Sequence, residues 1–424
     1  MLEEKHDPEN NFLNLPFPMQ IHNFIQHPTE TIASINTAIW YFFNKDTLVL
    51  NDTRLLIIPS VLPHIPFVGS YDQRILPILS NTSFVLSDSL YPEIFDYLHT
   101  TMGLMDNVDI FSIPNNPNIP LTENLLQNEP LLKELKDRKF KKVINCFIDE
   151  RVEKLAETIG ATTDIDAMVS RLANDKAKLK QHLEKNHLPT IQGTYTLNPE
   201  VIKDYFNREE EYFFKSPQGV SGYGFWSNKK NTLEEILQGI GEDELIIEQV
   251  ILKESSPSIQ FCVYGEKDAR KACIFGFTDQ ILEWGQYYLG NQSPSRYYGN
   301  TSIEGEILRQ SEAIVGYIME MGYVGFGWID FIVTPEHAIY ATEVNARFTG
   351  ATYPAITSLL LTESLVTPWK YVTKEWETSS IDDYLKISVK TPGEFGLFPL
   401  CIAPLNNWWR AQVMHIWGLD EHDM

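Results

Sequence analysis

The chain has 424 residues, of which 43% are hydrophobic and 12% aromatic, and its formal net charge is −23. This length favours roughly two to three domains, and the apolar content suits packed cores without a signature of disorder. Such acidity argues against broad nucleic-acid binding, which needs a basic surface, but it is compatible with a local cationic pocket for a nucleotide.

Cysteine and histidine usage excludes the common zinc and redox motifs. The four cysteines are widely spread without a Cys-x-x-Cys pair, and the ten histidines contain no His-x-x-x-His motif. The first residues are acidic and polar, unlike a secretory signal, and the sequence has no apolar run long enough for a membrane span. We therefore expect a cytoplasmic protein that contacts neither membranes nor nucleic acids.

The N-terminal part of the chain is predicted to form an α/β domain with a mainly parallel sheet. Short apolar segments alternate there with helical patterns, and no glycine-rich dinucleotide fingerprint follows the first strand. The predicted helices are Thr29–Phe43, Pro92–His99, Pro130–Lys139 and Asp149–Gly160, and the predicted apolar segments are Thr47–Leu50, Leu55–Pro59, Ile75–Leu79, Ser83–Leu86 and Lys142–Ile148.

Helices and strands also alternate through the middle of the chain. A capping box of Thr301 and Glu304 predicts the start of a helix that ends at Gly322, and a Pro- and Trp-containing tail closes the sequence from Lys390. The other predicted elements are the helices Thr162–Asn186 and Leu233–Ile240 and the strands Thr190–Tyr195, Glu211–Ser216, Glu244–Leu252, Ser258–Tyr264 and Ala272–Thr278.

A predicted hairpin carries side chains suited to a metal ion. Its strands, Trp328–Val333 and Ala338–Asn345, flank a turn of four residues. If that turn joins them symmetrically, Val333 faces Ala338, and Asp330 lies on the same face as Glu343. A turn one residue longer or shorter would place the two carboxylates on opposite faces.

These residue types suggest magnesium. Glu343 and Asn345 are two residues apart and share a strand face. Together with Asp330 they offer two carboxylates and an amide oxygen, which suits Mg2+ held jointly with phosphates, and Arg347 adds a planar cation. The alternative is a solvated polar face. Asp330 favours function because a carboxylate in an apolar strand is costly unless it is paired or metal-bound.

A second constellation is a glycine-rich loop after the strand that ends near Lys215. Gly219, Gly222 and Gly224 lie within six residues, with Ser221 between them, so the backbone can approach a ligand closely and form an anion-binding nest. The P-loop, dinucleotide and nucleophile-elbow motifs do not fit this spacing. The alternative is a plain glycine-rich turn.

Four segments in this order resemble the ATP-grasp ligases, over roughly Thr162–Thr367. They are Ala173–Lys176, the Lys-x-x-x-Gly-x-Ser-Gly-x-Gly pattern from Lys215, Ile246–Ile251, and Asp330 followed by Glu343–Arg347. The phrases SPSIQF, GNQSP and EVNARFTGATYP resemble peptide ligases of the pheganomycin type, which carry a pre-ATP-grasp N-terminal domain. The resemblance implies an α/β and α+β protein with a pre-ATP-grasp domain over residues 1–161, a lid subdomain over 162–245 and a core subdomain with the metal site and tail over 246–424.

The resemblance also implies roles for individual residues. Lys176 and Lys215 would contact the phosphates, Lys215 also the adenine, and Arg347 would steady the acyl-phosphate, so that Lys215 and Arg347 are the catalytic candidates. Lys176 lies in a lysine-rich helix, which slightly favours a solvated charge, and Glu254 departs from the usual hinge pattern, which favours a loop acid. The resemblance also implies that the phosphates are covered by Gly219, Ser221, Gly222 and Gly224. The adenine edge would be bound by Glu248, Gln249 and Val250, and the ribose by Glu254. Two Mg2+ ions, with Mn2+ as a substitute, would be bound by Asp330, Glu343 and Asn345.

The implied activity is an ATP-dependent carboxylate–amine ligase that works through an acyl-phosphate and releases ADP and phosphate. Its substrates would be small molecules, an amino acid or a peptide among them. The alternatives are an ATP-grasp phosphotransferase, a thioester-forming ligase and an inactive nucleotide-binding regulatory protein. The identity of both substrates stays open, as does the choice between a monomer and a homodimer.

Overall fold

The computed structural model describes residues 21–57, 62, 68–88, 90–217, 224–239, 245–283, 287–376, 380–405 and 408–416. Over these residues the chain forms three sheets, one of nine strands and two of four strands. Among the helices so described, none has the length and apolar character needed to cross a bilayer. The mixed α/β and α+β content predicted from the sequence is confirmed.

The first four-stranded sheet belongs to the N-terminal part and is entirely parallel. Its strand order is β4-β3-β2-β5, while β1 joins the large sheet instead. The strands are β1 (Ile21–Asn23), β2 (Thr47–Val49), β3 (Ser83–Ser87), β4 (Asp109–Ile113) and β5 (Lys142–Ile144), and the helices are α1 (Pro28–Phe42), α2 (Pro92–Asp96, continued by a π-helical turn, Tyr97–Thr101), α3 (Leu121–Leu126), α4 (Glu129–Arg138) and α5 (Glu150–Ile159).

Two predicted segments of this part are not strands. The segment Ile75–Leu79 lies almost entirely in a 3-10 helix, Val68–Ile78, where Pro77 lacks the N–H that a sheet ladder would need. The start of Leu55–Pro59 lies in a second 3-10 helix, Thr53–Leu56, and its end falls outside the described residues.

The second four-stranded sheet is antiparallel, has the order β6-β9-β7-β8, and is called the small sheet below. It has its own core, which contains Tyr212, Phe214 and Ile247. Its strands are β6 (Gly193–Thr196), β7 (Tyr212–Lys215), β8 (Phe225–Ser227) and β9 (Leu245–Gln249), and the helices of this region are α6 (Ala167–Ala173), α7 (Lys176–Lys185), α8 (Pro199–Phe206) and α9 (Leu233–Gly239).

Pairing in the small sheet bears on the predicted domain division. Strand β9 pairs with both β6 and β7. The predicted boundary between residues 245 and 246 would therefore cut a strand of this sheet, and a boundary after Gln249 fits the pairing. The division into three domains otherwise stays a prediction.

The predicted continuous helix Thr162–Asn186 is wrong. It is broken between α6 and α7 because Asp175 caps a new helix, with its Oδ1 accepting from the N–H groups of Ala177 (2.8 Å) and Lys178 (3.0 Å). The break leaves Lys176 in the first turn of α7.

The nine-stranded sheet, called the large sheet below, runs β14-β13-β10-β11-β12-β15-β17-β16, with β1 paired to β11. The sequence predicted as a tail supplies the last two strands of this sheet, β17 and β16. Strand β17 pairs with β15 on one side and with β16 on the other. The strands are β10 (Pro257–Tyr264), β11 (Lys271–Glu283), β12 (Tyr287–Ser293), β13 (Gly325–Val333), β14 (Ile339–Asn345), β15 (Trp369–Trp376), β16 (Gly396–Leu405) and β17 (Trp408–Ile416), and the helices are α10 (Thr301–Glu320), α11 (Thr352–Thr362) and α12 (Ile381–Lys386).

The predicted cap of α10 is wrong by one residue. Asn300 is the N-cap and accepts from the Ile303 N–H, while Glu304 reaches back to the N–H of Gly299 at 2.7 Å. Glu304 thus accepts from the residue before the N-cap and not from the N-cap itself, so the arrangement differs from a capping box.

A continuous core joins the N-terminal part to the large sheet. The ring centroids of Phe42 in α1 and Phe326 in β13 lie 5.3 Å apart, and those of Phe326 and Phe348 lie 4.9 Å apart. The hairpin of β13 and β14 therefore rests on a fixed base, while the small sheet packs around a separate core.

We predict that Gly193→Ala loosens the small sheet. A Cβ at this position would lie 1.9 Å from the backbone oxygen of Ile247 in β9, so β6 has to move away from its partner. Overpacking of this kind typically costs about 1–3 kcal/mol. Hydrogen exchange across β6 and β9 should accelerate accordingly.

The matched control is Gly305→Ala in α10, where an added Cβ meets nothing within 4 Å. This substitution should stabilise the helix by about 0.5–1 kcal/mol. Unchanged exchange in Gly193→Ala would contradict the close approach of β6 to β9.

Candidate active site

The β13–β14 hairpin brings the predicted metal ligands together by a route that differs from the predicted one. Val333 pairs with Ile339 rather than Ala338, so the connection is one residue longer than expected. A β-bulge then shifts the register between Asp330 and Phe331, so that Asp330 pairs directly with Glu343. The Thr342 hydroxyl donates to the Asp330 carbonyl oxygen at 3.1 Å at this bulge. The two one-residue shifts add to a two-residue change of register, and because side chains alternate with a period of two, the predicted shared face is retained.

Asp330 is the most constrained carboxylate of the hairpin. Its Oδ1 accepts from Gln280 Nε2 (2.6 Å) and Ser258 Oγ (3.1 Å), and its Oδ2 accepts from Asn345 Nδ2 (3.1 Å). Burial and the neighbouring carboxylate of Glu343 raise the pKa of Asp330 to about 8. Two acids in one poorly solvated place repel each other, and a bound cation would relieve that repulsion.

The donor set fits a hard cation. Asp330 and Glu343 supply carboxylate oxygens, and the Asn345 amide, whose nitrogen donates to Asp330, has its oxygen for a metal. Three protein oxygens do not fill the octahedral coordination shell of Mg2+. In proteins, Mg2+ usually completes this shell with water molecules and phosphate oxygens.

Lys176 is not a solvated surface charge. Its Nζ lies 2.9 Å from Glu343 Oε1, and the side chain is only 5% exposed. The first turn of α7 thus delivers a cation to the acidic face of the hairpin. The helix break capped by Asp175 fixes the start of α7 and therefore the position of Lys176. The ion pair between Lys176 and Glu343 thus depends on this break.

Lys215, Lys180 and Glu248 form a buried triad on the small-sheet side. Glu248 Oε2 lies 2.6 Å from Lys215 Nζ, and Oε1 lies 3.0 Å from Lys180 Nζ. Burial raises the pKa of Glu248, but the two lysines outweigh burial and hold this pKa below its ordinary value. Lys180 also donates to the Ile191 carbonyl oxygen at 2.6 Å. Sequence reasoning missed Lys180, although its spacing of four residues from Lys176 places both on one helix face.

The triad and the hairpin face a common cleft. Lys176, Lys180, Lys215 and Glu248 line it from one side, and Ala341 and Thr342 of β14 line it from the other. Cationic side chains and metal-type oxygens therefore meet between the small and large sheets, where a polyphosphate and a divalent cation would both find partners.

Arg347 is held from α6. Its Nη1 donates to Asn174 Oδ1 at 2.5 Å, and Asn174 Nδ2 donates to the Ala346 carbonyl oxygen at 3.1 Å. Burial lowers the pKa of Arg347 from its ordinary value, while the Glu343 carboxylate acts in the opposite direction. Asn174 therefore positions Arg347. In the sequence analysis this residue appeared only as part of the Ala173–Lys176 segment.

The other predicted site residues are less completely described. Gly219, Ser221 and Gly222 lie outside the described residues. Gly224 has φ of 77°, and its carbonyl oxygen accepts from the Ser216 N–H at 2.8 Å, which closes the base of the glycine-rich loop. The Pro217 carbonyl oxygen accepts from the Lys176 N–H at 3.3 Å, so the loop begins beside α7.

The predicted adenine and ribose contacts receive less support. The N–H groups of Gln249 and Val250 already donate to the carbonyl oxygens of Gln192 (2.9 Å) and Glu211 (2.8 Å), so these two amides are engaged within the fold. Glu254 is exposed, and its carboxylate makes no hydrogen bond or ion pair with any residue that the structure describes. Its surroundings agree with the alternative of a loop acid.

The family comparison covers the part of the chain that carries this cleft. Residues 173–351 match a family model described as an ATP-grasp domain. The chain contains an ATP-grasp domain. The matched residues include Lys176, Lys215 and the whole β13–β14 hairpin, so every side chain that faces the cleft lies within the domain. No curated protein sequence matches the chain.

Solved structures extend the likeness to almost the whole chain. N5-carboxyaminoimidazole synthetase from Staphylococcus aureus, solved with ADP, superimposes with a TM-score of 0.54 at 12% identity and covers 90% of this chain and 96% of its own. The biotin carboxylase domain of 2-oxoglutarate carboxylase from Hydrogenobacter thermophilus, solved with MgADP, ADP and bicarbonate, gives 0.55 at 17% identity, with 88% and 86% covered. Biotin carboxylase from Campylobacter jejuni gives 0.52 at 13%, with 88% and 87% covered. At these identities the likeness establishes the ATP-grasp fold, with the N-terminal part included.

We predict that removing Glu248 harms the small sheet more than removing Lys215. Glu248→Gln leaves Lys215 buried without its carboxylate partner and leaves Lys180 only the more distant Glu184 at 3.9 Å, and breaking a buried pair in this way typically costs about 3–5 kcal/mol. Lys215→Met leaves the Lys180–Glu248 pair intact and should cost roughly 1–2 kcal/mol.

Hydrogen exchange across β7 and β9 measures both effects. The double variant Glu248→Gln/Lys215→Met should recover part of the loss because it removes the Lys215 cation that Glu248→Gln leaves without a carboxylate. Equal destabilisation by the two single variants would contradict the shared role of Glu248.

Proposed function

We propose that the chain is an ATP-dependent carboxylate–amine ligase that forms an amide through an acyl-phosphate and releases ADP and phosphate. The observation that carries this proposal is the pairing of Lys176 with Glu343 at 2.9 Å beside Asp330, inside an ATP-grasp domain. One cleft then contains both a cation for phosphate and oxygens for Mg2+.

The nucleotide would lie between the small and large sheets. Lys176 and Lys215 would turn from their carboxylates to the phosphates, and the loop that begins at Pro217 would cover them. Asp330, Glu343 and Asn345 would hold two Mg2+ ions, or Mn2+ in their place. When bound, these ions neutralise charge that develops on the transferred phosphoryl group. Solved neighbours that contain ADP or MgADP support ATP and magnesium for this fold.

The chain's own residues account for the remaining chemistry. A substrate carboxylate attacks the γ-phosphorus of ATP, and ADP leaves. Arg347, held in place by Asn174, stabilises the negative charge on the reacting carboxyl group. An amine then attacks the acyl carbon, a base accepts its proton, and phosphate leaves with the C–O bonding electrons. The small sheet and its loop exclude water from the acyl-phosphate, and no side chain has to act as a covalent nucleophile.

We further propose that the substrates are an amino acid or a peptide, as in the pheganomycin-type peptide ligases that the sequence phrases resemble. The first 161 residues would be the pre-ATP-grasp domain of such a ligase. The fused core of this domain and the large sheet supports a shared role in substrate binding. A homodimer is compatible with this assignment.

We predict ADP and phosphate as the nucleotide products, because a γ-phosphoryl transfer leaves ADP. The protein is incubated with ATP, Mg2+ and pools of amino acids and peptides, and phosphorus NMR follows the nucleotide while mass spectrometry detects new amides. Pyrophosphate and AMP among the products would refute the acyl-phosphate route. ADP formed without consumption of an amine would indicate phosphoryl transfer instead.

We predict that Glu343→Ala and Arg347→Ala fail at different stages. Glu343→Ala should weaken Mg2+-dependent binding of a non-hydrolysable ATP analogue and abolish turnover, because it removes a carboxylate from the cation site. Arg347→Ala should bind the analogue within a few-fold of the parent and lose about 10²–10³ in rate, the usual cost of a lost preorganised charge.

Calorimetric titration and single-turnover assays separate the two stages, with Arg347→Lys as the matched control that keeps the charge. If Arg347→Ala loses nucleotide binding as badly as Glu343→Ala, Arg347 belongs to the phosphate site and its assigned role is wrong.

A further inference from the structure

The hydrogen bonds of Asp330 are divided unequally between its two carboxylate oxygens. Oδ1 accepts from Gln280 Nε2 at 2.6 Å and from Ser258 Oγ at 3.1 Å, whereas Oδ2 accepts from Asn345 Nδ2 at 3.1 Å and from no other side chain that the structure describes. A carboxylate oxygen offers two lone-pair positions. Both positions of Oδ1 are therefore occupied, and one position of Oδ2 remains for a metal ion.

The large sheet builds this arrangement from three adjacent strands. Ser258 of β10 pairs directly with Asp330 of β13 on one side and with Thr278 of β11 on the other. Gln280 lies two residues beyond Thr278, so it shares this sheet face and lies one diagonal step from Ser258. The Gln280 N–H donates to the Ser256 carbonyl oxygen at 2.9 Å and fixes this part of β11 beside β10. Both donors thus reach Asp330 from regular strands.

Other groups act on the Asp330 carboxylate without a hydrogen bond to it in the described part of the chain. The charges of Lys253, Arg347 and Glu343 act on it electrostatically. The Trp328 indole acts on it as well, but its N–H has no hydrogen-bond partner among the described residues. The unequal use of the two carboxylate oxygens therefore comes from Gln280, Ser258 and Asn345.

The two donors on Oδ1 resist displacement for different reasons. Ser258 is fully buried, so its hydroxyl would lose its acceptor in a place that water does not reach. The Gln280 amide makes a short hydrogen bond to an acid, and such charge-assisted bonds are stronger than bonds between neutral groups. Coordination of one ion by both oxygens of Asp330 would have to break or weaken both contacts.

Mg2+ and Ca2+ make different demands on a carboxylate. Mg2+ requires near-octahedral coordination at about 2.0–2.1 Å and usually keeps several waters, so one oxygen from each carboxylate suffices. Ca2+ takes about six to eight oxygens at roughly 2.3–2.6 Å and often uses both oxygens of one carboxylate. A carboxylate with a single accessible lone pair therefore suits Mg2+ better than Ca2+.

We propose that Gln280 and Ser258 restrict Asp330 to one-oxygen coordination and thereby make the cation site of the β13–β14 hairpin selective for Mg2+ over Ca2+. Both are positioning residues, since they act through Asp330 and not on the ion. This assignment rests on the metal ligands of the proposed function, and it identifies the side chains that select the ion at that site.

The first test follows Mn2+ bound together with a non-hydrolysable ATP analogue by electron paramagnetic resonance and displaces it with Mg2+ or Ca2+. The ratio of the two displacing concentrations measures selectivity, and a general weakening of the site changes both concentrations and leaves their ratio. We expect Mg2+ to displace Mn2+ from the parent protein at the lower concentration. Gln280→Met should narrow the ratio roughly tenfold because a charge-assisted hydrogen bond to Oδ1 is lost, and Gln280→Met/Ser258→Ala should narrow it further.

Gln260→Met is the matched control. Gln260 is buried on the same face of β10, two residues from Ser258, and donates to Thr278 Oγ1 at 3.1 Å and not to Asp330. This variant should keep the ratio of the parent protein. The proposal is overturned if Gln280→Met keeps the parent ratio, if Gln260→Met narrows it as much, or if the parent protein does not distinguish the two ions.

The second test uses the unaltered sequence and so does not depend on the folding of a variant. The protein is isotope-labelled at the side-chain carboxyl carbon of aspartate, and infrared difference spectra compare the analogue complex with and without each ion. The antisymmetric and symmetric carboxylate stretches lie further apart in one-oxygen than in two-oxygen coordination. We expect the wide separation with both ions, and the narrow separation with either ion overturns the proposal.

The metal ligands, the ligase activity and the selectivity can fail separately. If Mn2+ does not bind together with the analogue, the metal ligands and the selectivity are refuted together. Bound Mn2+ with the same ratio in Gln280→Met and the parent protein refutes the selectivity alone. A narrowed ratio without ADP formation from any substrate pool refutes the ligase and supports the role of Gln280 and Ser258.

Discussion

Three lysines in the cleft are each held by a carboxylate from another element, and the site depends on this pairing. Lys176 of α7 meets Glu343 of β14, while Lys180 of α7 and Lys215 of β7 share Glu248 of β9. A desolvated ammonium is costly unless it is paired, so the elements that carry these charges have to meet. The same contacts that neutralise the lysines therefore position the small sheet over the β13–β14 hairpin.

Lys176, Lys180, Lys215 and Arg347 gather four cationic side chains at this cleft in a chain with a net charge of −23, and each lies beside a carboxylate. A polyphosphate entering the cleft would compete with Glu343 and Glu248 for the lysines, and a divalent cation would take over Glu343. The lysines would thus exchange one set of oxygens for another, with little change in their desolvation. Electrostatic preorganisation of this kind lowers the reorganisation that accompanies a charge-transferring reaction.

The sequence predicted the alternation of elements, the parallel N-terminal sheet and the shared face of Asp330 and Glu343. It could not predict the register, because the longer connection and the bulge at Thr342 are each invisible in an alternating pattern, and together they move the partner of Asp330 from Ala341 to Glu343. The helix break at Asp175 was missed because the apolar spacing continues across it and only the cap interrupts it.

The short connection after β9 limits how the two sheets can move. The Val250 N–H is fixed to Glu211 in the small-sheet region, and the Glu254 N–H is fixed to Val333 at the end of β13 at 2.9 Å. Only Ile251, Leu252 and Lys253 lie between these anchors, and Leu252 is 73% exposed. A rotation of the small sheet would have to be absorbed by the dihedral angles of these three residues. The pivot between the two sheets would therefore lie beside the end of β13.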